Sequence, residues 1–117
     1  MIIWHIDDDP IVLEIASRTI RRNDIGSEVR TFEDARKALA ALDKSTPDII
    51  LLDMDMPGMD GWEFLEALAK RENVPPIFIL TASLDTALTE KALKMPNVKG
   101  LLTKPLTIKD LATLVIG

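Results

Sequence analysis

The sequence has no cysteine, no tyrosine and a single histidine among its 117 residues. Without cysteine the chain forms no disulfide and no thiolate metal site, which agrees with a reducing cytoplasm. No apolar stretch approaches the roughly 20 residues of a membrane span, and the short apolar start does not have the form of a signal peptide. We therefore expect a cytoplasmic protein with no membrane partner.

Basic residues are also few, since the chain has 14 Lys and Arg and 19 Asp and Glu, for a formal net charge of −5. An acidic surface disfavours sequence-independent binding of nucleic acid, which needs clustered cations to displace counterions. We expect no direct nucleic-acid partner. Hydrophobic residues still make up 47% of the chain, so it can bury an ordinary core, and its length predicts one domain over residues 1–117.

Short apolar runs alternate with segments of helical periodicity. Asp9 followed by Pro10 is typical of a helix start, Gly61 opens the third helical segment, and Pro75-Pro76 precedes the fourth run. The predicted strands are Ile2–Ile6, Glu28–Thr31, Asp48–Leu52, Ile77–Leu80 and Gly100–Thr103, and the clearest predicted helices are Pro10–Arg22, Asp34–Leu42 and Trp62–Lys70.

This order predicts five β-α repeats and an α/β fold with a doubly wound parallel sheet. Two architectures fit: a nucleotide-binding half of the Rossmann type, and the flavodoxin-like (βα)5 fold with strand order 2-1-3-4-5. Both place chemistry at the carboxyl ends of the strands, beside the point where the strand order reverses.

The residues at those strand ends are polar. The first strand is followed by Asp7, Asp8 and Asp9, the third by Asp53, the fourth by Thr81 and the fifth by Lys104. Carboxylates that converge in one crevice repel one another unless a cation lies among them. Oxygen ligands without Cys or His point to a hard cation, and Mg²⁺ is the usual one beside phosphate.

A carboxylate nucleophile can attack phosphorus and form an acyl phosphate. Asp53 is the predicted nucleophile because it lies in the middle of the set, with Lys104 and Thr81 as partners for phosphoryl oxygens. The plainer alternative is that polar residues at strand ends only cap helices, which we also expect of Asp9.

At these positions the sequence resembles the response-regulator receiver family. The resemblance covers essentially the whole chain, and the loop after Asp53 is its most specific segment. The matching segments are Ile6–Pro10, Leu51–Gly61, Leu80–Ser83 and Leu102–Pro105.

The resemblance implies a role for each site residue. Asp8 and Asp53 would ligate Mg²⁺ through their carboxylates and Asp55 through its backbone carbonyl, while Asp7 would act on the metal largely through water. Asp53 would accept the phosphoryl group, and Thr81 and Lys104 would bind its oxygens.

The resemblance also implies a signalling function rather than an enzyme. The phosphoryl donor would be a sensor histidine kinase or a histidine phosphotransfer protein. Phosphorylation would switch the surface of the fourth helix, fifth strand and fifth helix for a downstream protein target. We expect a single receiver domain with no output domain in the chain. Family members often pair through their last strands and helices, so a homodimer stays open.

Two departures from the family pattern bear on switching. Leu101 stands where many members carry a Tyr or Phe, so the usual aromatic readout is in doubt. Pro96 precedes the fifth strand and predicts an early end of the fourth helix. Elsewhere, His5 is predicted to be a packed or hydrogen-bonded core histidine rather than a ligand, and Trp4 and Trp62 are predicted to be packing residues.

Three other functions compete with the receiver. Leu51–Asp55 is similar to the Asp-x-Asp motif of haloacid-dehalogenase phosphatases, but in that family the motif comes first and the acidic pair last. A receiver that has lost phosphorylation would be expected to lack Asp8, Asp53 or Lys104, and all are present. A flavodoxin would need a phosphate loop after the first strand, where Asp7, Asp8 and Asp9 repel phosphate.

Overall fold

The computed structural model describes residues 1–23, 28–54, 59–81, 86–104, 106–107 and 109–110. Strands and helices alternate along the chain, as the periodicity predicts. The strands are β1 (Ile2–Ile6), β2 (Glu28–Phe32), β3 (Ile49–Asp53), β4 (Ile77–Thr81) and β5 (Val98–Thr103), and the helices are α1 (Pro10–Arg22), α2 (Ala35–Leu42), α3 (Gly61–Ala69) and α4 (Thr86–Leu93).

The strands form one parallel sheet in the order β2-β1-β3-β4-β5. This confirms the flavodoxin-like prediction. The order reverses beside β1, so the crevice for chemistry lies at the carboxyl ends of β1 and β3. The predicted fifth helix falls largely on residues outside the described ranges.

Aspartates cap the amino-terminal ends of three of the helices. Asp9 accepts a hydrogen bond from the backbone N–H of Ile11 at 2.9 Å, and Pro10 follows at the first helical position. Asp34 caps α2 in the same way. Asp60 begins α3 with a capping box, in which its carboxylate accepts from the Glu63 N–H and the Glu63 side chain accepts from the Asp60 N–H.

The sheet separates two apolar clusters. One contains Trp4, Ile6, Phe32 and residues of α2, α3 and α4, and the other contains Ile3 and residues of α1. All five residues of β3 are buried, because helices cover both faces of a parallel sheet. No helix in the described ranges has the length and apolar character that crossing a bilayer requires.

Some element ends differ from the prediction. β5 begins at Val98 rather than Gly100, because Asn97 adopts a positive φ of 68° and its carbonyl accepts from the Ile77 N–H at 2.8 Å. Pairing with β4 then continues across an irregularity between Ile77 and Phe78. The predicted early end of α4 is confirmed, since the helix ends at Leu93, before Pro96.

Candidate functional site

Three carboxylates meet at the carboxyl ends of β1 and β3. Asp7 and Asp8 follow the last residue of β1, and Asp53 is the last residue of β3. One carboxylate oxygen from each of the three lies within 4.8 Å of the others. Asp7 and Asp53 are buried, whereas Asp8 is exposed. The convergence that the strand order predicts is therefore present, and we call this group the carboxylate cluster.

Asp7 is held firmly by the backbone around it. Its N–H donates to the carbonyl of Phe32 on the neighbouring β2 at 3.0 Å. Its carboxylate Oδ1 accepts from the N–H of Asp9 at 2.9 Å. The turn from β1 into α1 thus sets the orientation of the Asp7 carboxylate, and Asp9 serves α1 as the cap that the sequence predicts.

Among the described residues, Lys104 is the one cation of this site. It follows β5, and its Nζ lies 2.8 Å from Asp7 Oδ2 and 3.5 Å from Asp53 Oδ1. Burial by itself lowers the pKa of Lys104. Hydrogen bonding to Asp7 and the negative charges of Asp53 and Asp7 outweigh that effect and raise its pKa above the usual value. Lys104 is therefore protonated at neutral pH.

Thr81 lies at the same edge of the sheet. It is the half-buried last residue of β4, next to the end of β3, where Asp53 pairs in register with Leu80. The Lys104 N–H donates to the carbonyl of Thr81 at 2.8 Å, which joins the ends of β4 and β5. Asp55, the remaining predicted ligand, lies outside the described residues.

A close backbone contact joins the start of α3 to the end of β3, where Asp53 lies, and sequence reasoning missed it. The Gly61 N–H donates to the carbonyl of Met54 at 3.1 Å. A Cβ at Gly61 would lie 2.6 Å from the Met54 Cα and 3.0 Å from the Asp53 carbonyl oxygen. Only glycine fits here. The signal in the sequence is a glycine at a helix start that follows the nucleophile loop.

His5 lies inside β1, fully buried, two residues before Asp7. Within the described part of the chain neither ring nitrogen has a hydrogen-bond partner. Burial lowers the pKa of His5 to about 4, although the charge of Asp7 opposes the shift. The prediction of a packed core histidine is confirmed, and the ring is neutral at physiological pH.

The donor chemistry of the carboxylate cluster fits a hard divalent cation. All its ligand atoms are oxygens, which Mg²⁺ prefers over nitrogen or sulfur donors. Asp7, Asp8 and Asp53 bring three negative charges and Lys104 brings one positive charge. These formal charges leave a net charge of −2, which one divalent cation would balance.

Comparison with known proteins gives one consistent result. The family model of the response regulator receiver domain matches residues 3–116. The DNA-binding transcriptional regulator NtrC of Salmonella typhimurium is 34% identical over 114 residues, which cover 97% of this chain and 24% of NtrC. The sensor histidine kinase GacS of Pseudomonas protegens is 32% identical over 95% of this chain and 12% of its own length.

Solved structures agree with the sequence relatives. The crystal structure of a two-component response regulator from Cytophaga hutchinsonii superposes with a TM-score of 0.90 at 28% identity, covering 98% of this chain and 96% of that one. This chain spans about a quarter of the NtrC protein, at 24% of its length. The family match, the sheet order and the carboxylate cluster agree, and the chain belongs to the response regulator receiver domain family of two-component signalling.

Proposed function

We propose that this domain accepts a phosphoryl group on Asp53, with Mg²⁺ as cofactor, from a phosphohistidine of a sensor histidine kinase or a histidine phosphotransfer protein. The observation that carries the proposal is the meeting of Asp7, Asp8 and Asp53 within 4.8 Å, with the Lys104 ammonium 3.5 Å from the Asp53 carboxylate. The proposed nucleophile, the proposed cation site and the positive charge of Lys104 thus share one crevice.

Asp8 and Asp53 are the proposed carboxylate ligands of Mg²⁺, with Asp7 acting largely through water and Asp55 through its backbone carbonyl. When bound, the ion supplies charge neutralisation for phosphoryl oxygens beside the nucleophile. The exposure of Asp8 supports this assignment, because a ligand at the mouth of the crevice leaves a path for exchange of ion and donor.

In the proposed step an Asp53 carboxylate oxygen attacks phosphorus and forms the acyl phosphate bond. The bond from phosphorus to the donor's imidazole nitrogen breaks. The phosphohistidine ring carries a proton on its other nitrogen, so it leaves as neutral imidazole with the electron pair of the broken bond. Lys104 is already protonated, so it stabilises the charge on the phosphoryl oxygens without giving up a proton. The Thr81 hydroxyl is the proposed hydrogen-bond donor to another of these oxygens.

Phosphorylation would also change the neighbours of Lys104. In the unphosphorylated protein its ammonium bridges Asp7 and Asp53. A phosphoryl group on Asp53 would draw it toward the new oxygens and shift the populations of the surface formed by α4, β5 and the fifth helix. Leu101 is half-buried in β5, so the readout for a downstream protein target would use aliphatic packing. The cytoplasm is the proposed compartment.

The first test is mass spectrometry after incubation with acetyl phosphate, with and without Mg²⁺. We expect a gain of one phosphoryl group that needs Mg²⁺ and disappears in Asp53→Asn. Asp48→Asn is the matched control, because it makes the same chemical change at the exposed residue just before β3. An adduct that persists in Asp53→Asn would contradict the assigned nucleophile.

Two further variants separate the partners of Asp53. Asp8→Ala should weaken Mg²⁺ affinity, and unchanged affinity would contradict the metal site. Lys104→Ala should still take up some phosphoryl group but no longer pass the change to β5, which NMR shifts of Leu101 would report. Rapid release of inorganic phosphate from small esters would instead support a phosphatase.

A further inference from the structure

A groove at the edge of the sheet carries positive charge although the chain as a whole is acidic. Its volume is about 250 Å³, and it shares no residue with the carboxylate cluster. The strand beside it is β2, the first in the sheet order. The described residues that line it are Arg30, Lys37, Ala40, Ala41 and Lys44, and we call it the cationic groove.

The spacing of these residues explains its shape. Positions 37, 40, 41 and 44 follow one another at the i, i+3, i+4, i+7 interval, so they share one side of α2 and its last turn. At 1.5 Å per residue, Lys37 and Lys44 lie about 10 Å apart along the helix axis. The methyl groups of Ala40 and Ala41 between them leave a low apolar floor.

Arg30 forms the other side of the cationic groove and is held by aromatic contacts. Its guanidinium carbon lies 4.7 Å from the centre of the Phe32 ring and 5.4 Å from the centre of the Trp4 ring. Both rings are buried. Cation–π contact with two fixed rings orders a side chain that is otherwise flexible, and the edge of the planar guanidinium stays available for a carboxylate.

The three cations differ from their neighbours in their ion pairing, although Lys37 interacts electrostatically with the Asp34 carboxylate. Within the described ranges none of them forms an ion pair with a carboxylate, and no carboxylate is among the described lining residues. Their neighbours behave differently, since Arg36 pairs with Asp34 and Arg71 pairs with Asp43, each at 2.9 Å. The positive charge of the cationic groove is thus left for a ligand.

We propose that the cationic groove binds an extended acidic segment of a partner polypeptide. Cations spread along about 10 Å match an extended chain, in which alternate side chains on one face are about 7 Å apart. A single phosphate would need donors that converge on one point. Nucleic acid fits less well, because the described lining of the groove has only three cations and the chain has a net charge of −5.

The test is NMR titration of the ¹⁵N-labelled full chain at low ionic strength. The probe is an acetylated, amidated eight-residue peptide of alternating glutamate and serine, and its counterpart carries glutamine for glutamate. We expect shifts centred on Arg30, Lys37 and Lys44 with the acidic peptide only. The triple variant Arg30→Gln, Lys37→Gln, Lys44→Gln should bind about tenfold more weakly, since each exposed charge contact contributes modestly.

A matched triple variant separates this site from general charge attraction. Lys70→Gln, Lys94→Gln and Lys99→Gln remove the same charge from other exposed positions and should change affinity less than twofold. The double variant Lys37→Gln, Lys44→Gln keeps the aromatic contacts of Arg30 and should retain the fold while losing most of the binding.

Several results would overturn the proposal. One is the absence of peptide-induced shifts, which would mean that the cations only keep the β2 edge from pairing with other strands. Equal losses in both triple variants would show unspecific attraction. Tighter binding of inorganic phosphate or of a short oligothymidylate at the same residues would replace the acidic polypeptide by another class of ligand.

Discussion

Replacing Gly61 by alanine tests whether the start of α3 sets the position of the nucleophile. The new Cβ would meet the Met54 Cα at 2.6 Å and the Asp53 carbonyl oxygen at 3.0 Å. Ordinary carbon–carbon contacts are about 3.5–4.0 Å, so the backbone at Met54 or the first turn of α3 must move by roughly 1 Å. Backbone offers less room for adjustment than the end of a flexible side chain.

The expected cost follows from two opposing effects. Forcing a methyl group into a filled site costs about 1–3 kcal/mol. Alanine recovers up to about 1 kcal/mol because it loses less backbone entropy than glycine in a helix. The net loss is about 1–2 kcal/mol, which corresponds to roughly 4–8 °C in the melting temperature of a domain of this size.

The assays are urea unfolding followed by circular dichroism and the rate of phosphoryl uptake from acetyl phosphate. If the displacement reaches Asp53, uptake should slow by about tenfold or more, because a misplacement near 1 Å can cost about a hundredfold. Gly100→Ala is the matched control. Among the described residues its Cβ would meet only ring carbons of Phe78, at 3.2 Å, and a ring can shift.

We therefore expect the two glycine variants to differ in the free energy of unfolding and in the rate of phosphoryl uptake. Gly100→Ala should lie within about 1 kcal/mol of the wild type and phosphorylate normally. If Gly61→Ala is as stable as Gly100→Ala and takes up phosphoryl groups at the wild-type rate, the contact with Met54 does not position Asp53. A loss of stability with an unchanged rate would limit the role of Gly61 to folding.

Three further substitutions have expected outcomes. Lys104→Ala removes the cation beside Asp7 and Asp53, so the free energy of unfolding in urea at neutral pH without Mg²⁺ should fall by about 1–3 kcal/mol. Added Mg²⁺ should make this loss smaller. An unchanged free energy of unfolding would mean that the ion pairs contribute nothing to stability. The pKa of His5 is about 4 in the folded protein and 6.5 when unfolded, so the unfolded state binds a proton first and stability falls as pH drops from 6.5 to 4, by up to about 3 kcal/mol. His5→Leu should flatten that part of the stability profile, and an identical slope would contradict the buried neutral ring. Asp60→Ala removes the capping box of α3 and should cost about 1 kcal/mol in urea unfolding; a wild-type value would show that the box adds nothing to α3.

Local signals made much of the fold predictable. The bounds of α1 agree with the prediction at both ends, because Asp9 and Pro10 determine where a helix can begin. Gly61 was predicted to open the third helical segment, and α3 begins there. The spacing of Asp60 and Glu63 agrees with this start, because it contains the capping box.

Contacts between distant segments could not be predicted from the sequence in the same way. Strand order predicted that Asp7, Asp53 and Lys104 converge, but the 2.8 Å contact between Lys104 and Asp7 depends on the register of four neighbouring strands. The start of β5 depends on the backbone angle of Asn97, which asparagine permits but does not dictate. Long-range register and local backbone choice are the parts of this structure that composition and periodicity leave open.

The burial of the strands explains why the site lies where it does. β3 is buried over its whole length, and in β1 only Ile2 is exposed. A carboxylate one residue earlier in either strand would enter an apolar cluster, where an isolated charge is very costly. Asp7 and Asp53 thus lie at the carboxyl ends of their strands, at the border of the apolar clusters, with Lys104 beside them. The same desolvation that makes these charges costly strengthens their attraction for a cation, so the apolar sheet is itself part of the proposed metal and phosphoryl chemistry.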